Sequence, residues 1–217
     1  MDPLEKRLRI FYSKTGLIRF TSNLDVQRIW ERTLRRAGII ISYSQGFHPQ
    51  AKIQQASPLP LGFESDEEIV DIWVVEPQEA LISEQILNGL LPDGIEITKI
   101  VPVLLQEKSL QPYLLSSDYF LYFDKENAKQ VVASIYKAIN SSESILFTKH
   151  NGKQYDLKPL IYSLDIDHNE SNGWFLSMNL SSQINSTARP DHLLQYFGIN
   201  PAEVHIVRKK IHLKDHD

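Results

Sequence analysis

Residues 14–62 decide the fold and carry the functional signals of this chain, with the sequence KTGLIRFTSNLDVQRIWERTLRRAGIIISYSQGFHPQAKIQQASPLPLG. Apolar side chains recur at steps of three and four from Val26 to Ala37, a pattern typical of a helix with one buried face. Ser22, followed three residues later by Asp25, has the form of a capping box at the start of that helix. Gly38 is the expected stop signal. The spacing therefore predicts a helix between Ser22 and Gly38.

Alternating and apolar segments on both sides of this helix predict strands. In the first half, the predicted strands are 7–13, 39–43, 51–56, 67–75 and 95–103, a turn at 14–16 leads into a short segment at 17–20, and a second helix is predicted at 78–91. In the second half, the predicted strands are 118–123, 144–149, 158–167, 174–180 and 204–213, with helices at 126–140 and 189–197.

Allowing one additional strand in each half, both halves have the order β-α-β-β-α-β. This order predicts an α+β protein made of tandem ferredoxin-like domains with antiparallel sheets. We expect the domains at residues 1–103 and 117–217, joined by an irregular linker at 104–116.

The composition excludes several classes of protein. The chain has no cysteine, so it can form no disulfide and hold no iron–sulfur cluster through its own thiolates. It has no run of about 18 apolar residues and no N-terminal signal peptide, so no membrane span and a cytoplasmic location are expected. It lacks a P-loop, a dinucleotide-binding glycine motif and an HExxH motif. No metal or cofactor is predicted, and a non-catalytic role is favoured over an enzyme.

Positive charge is concentrated near the N-terminus. Residues 1–62 contain ten Lys and Arg against four Asp and Glu, whereas residues 63–217 contain 13 against 23. Arginines at positions 28, 32, 35 and 36 share one face of the predicted helix, and Asp25 and Glu31 can pair with only some of them. Arginine is suited to bidentate contacts with anions, so this face indicates an anionic partner. An ordinary solvated helix face is the alternative.

RNA binding requires cations for the phosphates and exposed aromatic groups for unstacked bases, and residues 14–62 contain both. Gly46 would let the backbone approach a ligand closely. Phe47 filling the core, and Tyr43 ending a strand, are the alternatives for the two aromatic residues. The candidate residues for binding RNA or a protein partner are Lys14, Arg19, Arg28, Arg32, Arg35, Arg36, Tyr43, Gly46, Phe47, His48 and Lys52.

Four segments, LIRFTSNLD at 17–25, RRAG at 35–38, YSQGFHP at 43–49 and PLPLG at 58–62, resemble the radical-SAM-linked protein family. The resemblance is specific over about residues 15–75, and this chain would be a form without the radical SAM domain. It implies that a radical SAM protein is the partner and holds the cluster, while this chain has an accessory role.

Three functions remain open from the sequence. The first is an accessory protein that binds tRNA or rRNA through the basic face of the first domain. The second is a module that docks on the radical SAM partner without RNA. The third is a metal-independent RNA endonuclease, similar at the level of fold to the RAMP-type CRISPR endonucleases, in which His48 would be the general base. Only this third function assigns a catalytic residue.

Overall fold

The computed structural model describes residues 5–75, 82–123, 128–141, 143–149, 152–169 and 173–214. The chain divides into two compact units, Met1–Tyr113 and Leu114–Asp217. Both combine antiparallel strands with few helices, which confirms the α+β class. Residues 104–113, expected to lie in a linker, belong to the first unit, where Leu110 is fully buried.

The first unit is a four-stranded sheet with helices inserted between its strands. Strand β1 pairs with both β3 and β4, and β2 pairs with β3, so the order is β4-β1-β3-β2 and every one of these pairs is antiparallel. The elements are β1 (Glu5–Lys14), α1 (Asn23–Arg36), β2 (Ile53–Gln55), β3 (Glu64–Val75), α2 (Glu84–Asn88) and β4 (Ile95–Val103).

Alternation along β1 places Leu8, Ile10 and Tyr12 in the core. The buried stripe of α1 packs against them, and Trp30 meets Tyr12 edge to face at a centroid distance of 5.0 Å. The predicted helix start is confirmed, because the Ser22 hydroxyl accepts a hydrogen bond from the backbone N–H of Asp25 at 3.2 Å. The core and the cap thus fix which face of α1 is left in solvent.

Two segments of the first unit differ from the sequence prediction. Residues 39–43 do not form a strand. Ile41 makes an isolated bridge to Val74 and Tyr43 makes one to Ala51, so neither pairing extends into a ladder of hydrogen bonds. Gly16–Phe20 forms a 3₁₀ helix, which includes the short segment predicted at 17–20. Of the helix predicted at 78–91, Glu84–Asn88 is helical, and residues 76–81 lie outside the described residues.

The face of β1 opposite the helix holds a buried charge cluster. Asp71 accepts hydrogen bonds from Arg7 Nε at 2.9 Å and from Arg9 Nε at 2.9 Å. Arg7 also donates to the backbone carbonyls of Glu107 and Lys108, at 2.6 and 3.0 Å. Burial lowers the pKa of Arg9, but the hydrogen bonds and charges of Asp71 and Glu107 more than offset this, so the net pKa is raised. The cluster attaches residues 107 and 108 to the sheet.

The second unit has a sheet in the order β11-β5-β9-β8, again with antiparallel pairs only. The short strand β10 pairs with β9, and β6 pairs with β7 in a separate hairpin. The elements are β5 (Leu114–Phe123), α3 (Ala128–Ile139), β6 (Leu146–Thr148), β7 (Gln154–Asp156), β8 (Ile161–Asn169), β9 (Gly173–Gln183), β10 (Ser186–Thr187), α4 (Pro190–Tyr196) and β11 (Val204–Leu213).

The predicted strand at 204–213 coincides with β11, whereas β5 begins at Leu114 and so includes residues assigned to the linker. Among the described residues, no helix is long and apolar enough to cross a membrane.

Candidate functional site

The solvent face of α1 carries four exposed arginines, two of which are paired with carboxylates. Arg28 contacts Asp25 at 3.0 Å, and Arg35 contacts Glu31 at 2.8 Å. The Ser22 hydroxyl donates to Asp25 at 2.7 Å, and this hydrogen bond, together with the one from Arg28, lowers the pKa of the carboxyl group. Both pairs are solvent-exposed and contribute little stability, so an anion can displace the local carboxylates at low cost.

The other two arginines of this face, Arg32 and Arg36, have no ion pair with a carboxylate within the described parts of the chain. Arg32 is exposed between the two paired arginines. Arg36 donates to the backbone carbonyl of Leu90 and is otherwise exposed. Helix α1 therefore presents an excess of two positive charges over its own Asp25 and Glu31.

A closed loop at residues 44–50 adjoins the helix. Its ends are held together, because the Ser44 N–H donates to the Gln50 carbonyl at 2.8 Å and the Gln50 N–H donates to the Ser44 hydroxyl at 2.9 Å. Between them Phe47 is fully exposed and His48 is exposed, so Phe47 does not fill the core. Gly46 has a φ of +131° with open space around it, a conformation that other residues rarely adopt.

Tyr43 connects this loop to the helix. Its hydroxyl donates to Glu31 Oε1 at 2.9 Å, the same oxygen that Arg35 contacts. The ring of Tyr43 remains partly exposed. The arginine face and the loop with Phe47 and His48 are thereby parts of one surface, which we call the helix–loop surface and define as Arg28, Arg32, Arg35, Arg36 and residues 43–50.

The remaining three predicted cations are placed differently. Lys14 is buried, with its ammonium group donating to the Thr21 carbonyl at 3.0 Å, so it does not face solvent. Arg19 contacts Glu64 at 3.1 Å and Lys52 contacts Glu5 at 2.8 Å, and both side chains are about one-third exposed. Because their charges are paired or buried, these three residues contribute less to an anion-binding surface than α1 does.

A shallow cleft of about 490 Å³ opens beside the base of the loop, and the sequence prediction did not include it. Lys52 was predicted, but Trp73 and Gln54 carry no signal in the sequence, because β3 and β2 bring them together only through strand pairing. The lining residues are Ser44, Gln50, Ala51, Lys52, Ile53, Gln54 and Trp73.

The ring of His48 makes no hydrogen bond with any of the described residues, so none of them orients it as a general base. The described residues also include no group of three or more His, Asp or Glu side chains that could hold a metal ion. The site thus combines separated cations, exposed rings and a cleft.

The fold and site thus define an α+β protein with a cationic and aromatic surface on its first unit. The chain belongs to a family described as uncharacterized proteins conserved in bacteria (DUF2344), whose model matches residues 7–190. No curated protein matches the chain.

Among solved structures, the chain is similar to a crystal structure described provisionally as a glycine cleavage system transcriptional repressor. The two are 10% identical, the match covers 98% of this chain and 99% of the other, and the TM-score is 0.28. A likeness at that TM-score supports no conclusion about this chain.

Proposed function

We propose that this protein is a non-catalytic accessory protein that binds RNA through the helix–loop surface. The observation that carries the proposal is that Tyr43 and Glu31 join an arginine face to a loop with an exposed aromatic tip. Two arginines of that face, Arg32 and Arg36, pair with no carboxylate of the described residues. Arginines of this kind bind phosphates, and exposed rings stack on unpaired bases. A tRNA or rRNA is the class of RNA that we expect, in the cytoplasm.

The partner that we propose is a radical SAM protein, on the basis of the sequence resemblance over residues 15–75. In this arrangement the partner holds the cluster and performs the chemistry, and the present chain positions the RNA. We also propose that each unit is ferredoxin-like. In each unit the four main strands, numbered along the chain, lie in the sheet in the order fourth, first, third, second. Proteins with two ferredoxin-like domains are common RNA platforms.

The test is a titration of the protein with total tRNA and with a structured rRNA fragment at several salt concentrations. The double variant Arg28→Ala/Arg32→Ala should bind more weakly and lower the magnitude of the slope of log K against log salt by roughly 1.4–1.8, because each lost phosphate contact lowers it by about 0.7–0.9. Both side chains are exposed, so the fold should be unchanged by circular dichroism.

The matched control is Lys129→Ala/Lys137→Ala, which removes two exposed cations from helix α3 of the second unit. It changes the net charge by the same amount and should leave the slope close to that of the unmodified protein. Absence of RNA binding at low salt, or equal slopes for the two double variants, would contradict the proposal.

A second candidate function is docking on the radical SAM partner without RNA. It is favoured by exposed apolar side chains outside the helix–loop surface, since Leu17, Phe20 and Leu61 are 87%, 57% and 65% exposed. Phe20 lies against Gly62, next to Leu61. Leu17→Ser/Phe20→Ser should abolish capture of the purified radical SAM partner and leave RNA binding unchanged; a loss of RNA binding alone would contradict this candidate.

A further inference from the structure

The cleft beside the loop has a rigid aromatic wall. The backbone of Trp73 is held on both sides, because its carbonyl accepts from the Ser42 N–H at 2.8 Å and its N–H donates to the Lys52 carbonyl at 3.1 Å. The Arg7 guanidinium lies 4.8 Å from the indole centroid and is itself fixed by Asp71. The partly exposed indole is therefore preorganised to stack on a planar ring without a conformational change.

The polar lining of the cleft is made of neutral and cationic groups. The side-chain amides of Gln50 and Gln54 have no hydrogen-bond partner among the described residues, and both reach solvent. Each amide offers donors and an acceptor together, the combination that reads the edge of a nucleobase. Lys52 adds a cation, which Glu5 partly neutralises at 2.8 Å.

The size and position of the cleft restrict its ligand. A volume of about 490 Å³ lies within the range of roughly 300–1,000 Å³ that is typical of sites for small ligands. A cleft of this volume can hold one base but not a base-paired duplex. It shares Ser44 and Gln50 with the base of the loop, so a strand that contacts the loop lies next to the cleft.

We propose that this cleft binds one unstacked base of a single-stranded segment of RNA, with Trp73 stacking on the ring and Gln54 reading its edge. This inference rests on the proposed function and adds a substrate class to it. The protein binds RNA with an unpaired nucleotide, and the identity of that nucleotide affects the affinity.

Tryptophan fluorescence tests the inference directly. The chain has three tryptophans; Trp30 is fully buried, and Trp174→Phe removes the one in the second unit. In this background the full-length protein is titrated with single-stranded RNA pentamers of each base and with an abasic ribose-phosphate pentamer of equal charge. We expect quenching of Trp73 by the base-containing pentamers and none by the abasic one.

Two variants of the cleft extend the test. Trp73→Leu should weaken binding of the preferred pentamer by roughly 5- to 150-fold, the range observed for loss of one stacked base, with the salt slope unchanged. Gln54→Ala should reduce the difference in affinity among the four pentamers. Circular dichroism confirms that each variant is folded.

The outcomes separate this inference from the proposed function. If base-containing and abasic pentamers bind equally and neither cleft variant changes affinity or base preference, the cleft is not a base site, although the helix–loop surface still binds RNA. If no RNA binds, both are overturned. If Arg28→Ala/Arg32→Ala lowers the salt slope while the cleft variants alter only base preference, both are supported.

Discussion

Asp71→Asn should destabilise the first unit more than any substitution of a surface ion pair. The Asp71 carboxylate is fully buried and accepts from Arg9 Nε at 2.9 Å, from Arg9 Nη2 at 3.1 Å and from two nitrogens of Arg7. Asparagine preserves the shape of the side chain but removes its charge and presents an amide N–H to a guanidinium group. Two buried cations would then lose their shared counter-ion.

The structure sets the size of this effect. Removing one partner of a buried ion pair costs about 3–5 kcal/mol. Some partners remain, because Arg7 still donates to the carbonyls of Glu107 and Lys108, and Arg9 still lies 3.5 Å from the Glu107 carboxylate. We therefore expect a loss of about 3 kcal/mol, a large share of a total stability of about 5–15 kcal/mol.

The assay is urea unfolding followed by tryptophan fluorescence in the Trp174→Phe background, where both remaining tryptophans lie in the first unit. The matched control is Glu31→Gln, which removes the carboxylate from the pair with Arg35, whose side chain is 71% exposed. It should cost less than about 1 kcal/mol. A loss below about 1 kcal/mol for Asp71→Asn as well would refute the argument, because it would mean that water or a rearranged side chain satisfies the two arginines.

Three further predictions concern the first unit. Gly94→Ala should lower the free energy of unfolding in urea by more than about 2 kcal/mol, since φ is +89° and the new Cβ would lie 2.3 Å from a carbonyl oxygen. Gly16→Ala, at φ +67° but in open space, should lower it by about 1 kcal/mol. Lys52→Gln should raise the pKa of Glu5, measured by NMR, toward 4.5. A carboxyl group whose pKa is lower in the folded protein than in the unfolded chain stabilises the fold only while it is ionised. The unmodified protein should therefore lose more free energy of unfolding than this variant as the pH falls below 4.5. Ser22→Ala should cost about 1 kcal/mol in urea unfolding through loss of the helix cap.

The sequence could predict those parts of the fold and site that depend on local pattern. Helix α1, its Ser22 cap and its exposed arginines follow from spacing within one segment, because helical periodicity and capping involve residues three or four positions apart. Strand β11 was likewise predicted with its observed bounds. Exposure of the loop tip was left open between two alternatives, and the structure places Phe47 in solvent.

The sequence could not predict features that depend on contacts between distant residues. Lys14 is an ordinary cation in the sequence, and only the turn to Thr21 shows that its ammonium group is enclosed. The cleft requires the register in which Gln54 lies opposite Asp71, next to Trp73. The C-terminal part of the first unit is attached by hydrogen bonds from the Arg7 side chain to backbone carbonyls about a hundred positions later in the chain.

The same contacts impose an order in time on the synthesis of the protein. Arg7 and the Lys108 carbonyl that it binds are separated by 101 positions. At a translation rate of about 5–20 residues per second, roughly 5–20 s pass between the synthesis of the arginine and that of its last partner. During this interval β1 holds a cation that the finished protein buries. A nascent chain that is released before Lys108 has been added therefore lacks a hydrogen-bond partner of Arg7. Its first unit remains incomplete at this contact, however well its hydrophobic core is packed.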